Sequence, residues 1–164
     1  MPGPSVLAFC RWLEHTAAAT TIAESDWLFP AIESLHVIAL TTVVGSIALV
    51  DLRLLSLSAR RIPVSRIIDA TLPLTWAAFV LAVISGALLF ATDATGYVEN
   101  PPFRYKMLLI ACAGVNMLVF HLVTGRRLRE WSTEHTPAAA KLAGALSLIL
   151  WTGTVVLGRW IAFA

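Results

Sequence analysis

The 164-residue chain is 58% hydrophobic and only 13% charged, about half the charged share of roughly 25% found in soluble domains, which excludes water as its main solvent. A formal net charge of +2 is too small to support a nucleic-acid partner. The two cysteines, Cys10 and Cys112, form neither CxxC nor CxxCH, so neither a thioredoxin-like pair nor a covalently attached c-type haem is indicated.

The first predicted element covers residues 4–22. Val6, Phe9, Cys10, Leu13 and Ala17 recur at helical spacing while Arg11, Glu14 and His15 point elsewhere, which reads as an amphipathic helix lying in the membrane interface. No basic stretch precedes it and Arg11 interrupts its apolar run, so it is expected to remain in the mature protein rather than leave as a signal peptide.

Four stretches without Asp, Glu, Lys or Arg follow: Ser34 to Val50, Ala70 to Thr92, Met107 to Gly125 and Leu142 to Gly158. With flanking residues each reaches the roughly 20 positions that a helix needs to cross a bilayer core about 30 Å thick. Hydrocarbon offers no partner to a free backbone N–H or C=O, and nothing here alternates as a barrel strand does, so helix is the required conformation. The expected fold class is all-α: an integral membrane four-helix bundle in one domain, residues 1–164, with spans near 30–55, 70–92, 103–125 and 138–162. Pro30, Pro102 and Pro137 stand where first-turn prolines belong, and Asn100 and Thr136 are available as caps. Pro73 falls inside the second span, where a kink is expected. Ala78, Ala82 and Gly86 set small residues every four positions along that span. This spacing lets helices approach closely in lipid, and it makes a homo-oligomer plausible.

Arg53, Arg60, Arg61 and Arg66 lie after the first span, and Arg126, Arg127, Arg129 and Lys141 after the third. These two basic loops are expected in the cytoplasm, with both termini on the outer side.

Few polar side chains fall at membrane depth, where a charge costs roughly 2.5 to 3.5 kcal/mol and usually faces a cavity, a cofactor or a partner. They are Glu33 and His36 on the first helix, Lys106, Asn116 and His121 on the third, and Asp51 with Arg53 at the inner end of the first. An ion pair is expected of Asp51 and Arg53, and helix-to-helix bonding of Asn116. Neutral imidazole is a good haem ligand. His36 and His121 do not suit one iron, however, because their depths differ by twelve residues of helix, roughly 18 Å, whereas two nitrogens on one metal sit about 4 Å apart. His36 and Lys106 differ by only about three residues, roughly 5 Å, which the lysine stem absorbs. Lys106 could serve as a second axial ligand or meet a haem propionate, with Arg104 beside it; the propionate role is preferred. His121 could hold a second cofactor, but a bond across the bundle is expected. Glu33 and His36 also form an E-x-x-H pair of the kind that binds metals in di-iron bundles, here in a single copy.

The stretches from Trp27 to Leu55 and from Asn100 to His121 resemble a family of uncharacterised bacterial membrane proteins, the DUF6644 type, which implies a bacterial inner membrane and no particular activity. More remotely, a first-helix histidine followed by small residues, with a third helix opening F-x-x-K, is similar to the CopD copper-resistance domain and to HemJ-like protoporphyrinogen oxidases. The latter similarity implies haem b, with His36 as iron ligand and Lys106 as its partner. The expected function is therefore a cytochrome b-like protein acting in electron transfer, or in redox chemistry of a partner such as quinone, near the outer face. Copper or other metal-ion handling through Glu33, His36 and Met107 is one alternative. A cofactor-free accessory subunit is another.

Overall fold

The computed structural model describes residues 2–59, 61–124 and 136–163; Arg60, Arg126, Arg127 and Arg129 lie outside the described residues. In chain order the elements are α1 (Pro4–Glu14), α2 (Ala17–Glu24), α3 (Leu28–Leu54), α4 (Val64–Thr92), α5 (Ala94–Glu99), α6 (Pro101–Val119) and α7 (Ala138–Trp160). A π-helical turn, Phe120–Thr124, continues α6, and a 3-10 turn, Ile161–Phe163, ends α7. The fold is all-α, as expected from the sequence, and the described residues include no strand. Four helices, α3, α4, α6 with its π-helical turn, and α7 with its terminal turn, are long and apolar enough to cross a membrane. Ile38, Val83, Val115 and Ile149 are all more than half exposed, which only a lipid environment makes favourable on this scale. The chain is a multi-pass membrane protein.

The expected single helix over 4–22 is two helices. Thr16 takes an extended conformation and its hydroxyl accepts from Ala19 N–H, capping α2, while the His15 ring donates back to Arg11 O and closes α1. Cys10 is buried, and Phe9 and Trp12 face outward in contact with each other. The pair of helices is tied to the bundle at Glu14, whose carboxylate accepts the Thr95 N–H of α5 at 2.6 Å. That hydrogen bond, aided by His15 and Arg11 and opposed by partial burial, holds the Glu14 carboxyl below the usual range.

Sequence signals for helix starts agree best at α6. Pro101 and Pro102 occupy its first two positions and the Asn100 side chain accepts from Phe103 N–H. Pro137 instead stands just before α7, which has no side-chain cap.

The four long helices pack in the order α4, α3, α7, α6, with α3 against α4, α3 against α7 and α6 against α7. The α4 and α6 helices end the row and make no comparable contact with each other. At the end of the bundle that carries both termini they are bridged by rings: Phe90 stacks on Phe103 at 5.6 Å, and Tyr97 joins both. The Ala78, Ala82 and Gly86 stripe lies in the α3–α4 seam. Ala78 and Ala82 are buried, Thr75 on the same face donates to Ser46 of α3, and Gly86 lies under His36. The loop end of the bundle is closed by Leu54, Val64, Phe120 and Ala140, one buried residue from each long helix or its extension.

Candidate functional site

His36 lies two turns into α3, half-buried, with its ring against α4. Ser85 there is almost fully buried, and its hydroxyl is 3.0 Å from His36 Nδ1. The Ser85 hydroxyl also lies 2.7 Å from Leu81 O; with its proton placed there, Ser85 accepts and His36 Nδ1–H donates. A neutral imidazole protonated on Nδ1 carries its lone pair on Nε2. Gly86 completes the seat: a Cβ at that position would stand 2.9 Å from His36 Cε1, closer than carbon atoms pack. The sequence marked His36 and the small-residue stripe but not Ser85, whose only signal is its place beside Gly86 on that stripe.

Lys106 is half-buried near the start of α6. Its Nζ lies against α7 at Gly158, where an added Cβ would be 3.6 Å away. Glu33, Arg104 and Met107 are exposed. Among the described residues no group of three His, Cys, Asp or Glu side chains is close enough to hold a metal ion, so the Glu33 and His36 pair gains no third such ligand.

The remaining polar residues sit toward the loop end, and three of them, Asp51, Arg53 and His121, behave differently from expectation. Asp51 and Arg53 do not pair: residues two apart on a helix point in different directions. Arg53 is buried and its Nε donates to Ile62 O. Asp51 is buried as well and interacts with Ser147 of α7, while its Oδ2 has no hydrogen-bond partner. Among the described residues, His121 makes no bond across the bundle. Its Nδ1–H donates to Met117 O one turn back on its own helix, and the ring is exposed. Asn116 does join two helices, donating to Ala143 O of α7 at 3.0 Å.

A family model described as "Family of unknown function (DUF6644)" matches residues 27–164, which covers all four long helices. Neither the search of curated proteins nor that of solved structures found a match.

Proposed function

Because the chain belongs to the DUF6644 family, whose function is unknown, we propose its role from the arrangement around His36: a b-type haem-binding membrane protein, cytochrome b-like, acting in electron transfer or in redox chemistry of a membrane-soluble partner such as quinone. The observation that carries this reading is the Leu81, Ser85 and His36 hydrogen-bond relay, which holds the imidazole in one tautomer and leaves Nε2 with a lone pair. Ligating histidines are commonly oriented in this way by a partner on the other nitrogen. Haem b, when bound, supplies one-electron chemistry at its iron. In this reading His36 Nε2 would hold the iron, Ser85 would fix the imidazole ring, and Lys106 or Arg104, which point in different directions from α6, would meet a propionate. His121, far down α6, belongs to no part of that site.

The basic residues at the loop end support a cytoplasmic position for that end, and hence termini on the periplasmic face of a bacterial inner membrane. Self-association would use a face other than the Ala78, Ala82 and Gly86 stripe, which α3 already covers.

The test is the absorbance spectrum of protein purified in mild detergent after expression with haem precursors. A Soret band that is present in wild type and lost in His36→Ala supports the reading; wild type without the band overturns it. The relay also favours a second reading, a cofactor-free accessory subunit in which His36 joins α3 to α4. In that case His36→Ala loses stability and no spectrum distinguishes it from wild type.

A further inference from the structure

A cavity of about 180 Å³ lies between the four long helices on the loop side of His36, and the haem reading makes no use of it. An apolar cavity of roughly 150 Å³ accepts a benzene-sized guest, so this one suits a single ring or a branched group of similar bulk. Its wall is almost wholly apolar, and three helices contribute aromatic side chains to it: Trp76 and Phe79 from α4, Phe120 from the α6 extension and Trp151 from α7. The lining residues that are exposed, Leu72, Trp76, Gly114, Met117 and His121, all belong to α4 or to α6 and its extension. The cavity therefore opens between the two helices that do not pack on each other, toward lipid. Its closed back is the α3–α7 side, to which Asp51 contributes.

The Asp51 carboxyl is unusual. It is 5% exposed, it has an oxygen without a partner, and the nearest basic residue on its own helix, Arg53, is engaged elsewhere. An acidic group held in apolar surroundings without a countercharge costs free energy, which a cation lodged nearby would lower. Aromatic faces and an acidic group together select a positive, weakly hydrated guest. We propose that this cavity is a binding site for a small lipophilic organic cation, an aromatic or alkyl quaternary ammonium, which enters from the bilayer between α4 and α6 and places its charge toward Asp51. The site is independent of haem and of His36.

Benzyltrimethylammonium is the probe, and neopentylbenzene is its uncharged isostere. Binding to the full chain in detergent is followed by quenching or shift of Trp76 and Trp151 fluorescence and by calorimetry. Wild type is expected to bind the cation at least tenfold more tightly than the isostere. Asp51→Asn is expected to bring the two to parity, and His36→Ala to change neither. Gly114→Leu places a side chain where an added Cβ meets nothing within 4 Å; it is expected to fold and to lose both ligands because it fills the mouth. Equal binding of cation and isostere by wild type overturns the proposal. So does undiminished cation binding in Asp51→Asn or, should that variant not fold, in Gly114→Leu.

Discussion

Gly86→Ala tests the seat of His36 because two effects of opposite sign meet at one atom. Replacing glycine by alanine in a helix interior gains about 0.8 to 1.0 kcal/mol in backbone terms. Against this, the new methyl would stand 2.9 Å from His36 Cε1, well inside the carbon separation of roughly 3.5 to 4.0 Å at which contacts are favourable. The ring cannot simply swing away, because Nδ1 is bonded to Ser85. Overpacking of this kind costs about 1 to 3 kcal/mol, so the single variant should be neutral to about 2 kcal/mol less stable. In a His36→Ala background the obstruction is gone, and the same substitution should stabilise by about 1 kcal/mol. The double-mutant cycle should therefore show a coupling of about 1 to 3 kcal/mol, measured by reversible unfolding in mixed micelles. Gly45→Ala is the control, since its Cβ would meet nothing within 4 Å. An identical effect of Gly86→Ala in both backgrounds would refute the assigned position of the imidazole.

Other expectations rest on single contacts. Asn116→Leu removes the bond to Ala143 O of α7 and should cost about 0.6 to 1.7 kcal/mol, the range for polar bonds between membrane helices; unchanged unfolding would mean the bond does not form in the bilayer. Glu14 ionises below its ordinary value near 4.5, mainly through Thr95 N–H. Its contribution to docking of α1 is therefore complete above that value and fades as the pH falls through the lower folded value. The protection factor of the Thr95 amide, the intrinsic exchange rate at the same pH over the observed one, should fall over that acidic range in wild type and stay low at every pH in Glu14→Ala. Tyr97 is shifted the other way, above its ordinary value of 10.0, by burial first and then by the charges of Asp93 and Glu33. The stability it contributes is present below pH 10 and is lost as the pH rises through the folded value; ultraviolet titration of the phenolate should show it ionising later than Tyr97 in the unfolded chain.

The spans were legible because charge is so costly in hydrocarbon that its absence over about 20 residues has one physical meaning. Depth along each helix was legible too: the constant rise per residue sets His36 level with Lys106 and far from His121. Lateral order was not. A helix that is apolar all round shows no stripe to say which face meets a neighbour, so nothing local indicated that α3 packs on α4 and α7 while α4 and α6 stand apart. Ser85 as the partner of His36, Ser147 as the partner of Asp51, and the cavity between them all follow from that order. The Asp51 and Arg53 expectation failed for a related reason: nearness in sequence was read as nearness of side chains, which helical geometry denies to residues two apart.

The central claim is that His36 Nε2 is held ready for a ligand by Ser85. The most direct measurement is the reduced-minus-oxidised difference spectrum of haem-supplied wild type, His36→Gly and Ser85→Ala, with imidazole then added to the glycine variant. A b-type signal in wild type, its loss in His36→Gly and its return with imidazole are the expected result, with Ser85→Ala retaining haem at a shifted midpoint potential. Identical spectra from wild type and His36→Gly would contradict the account.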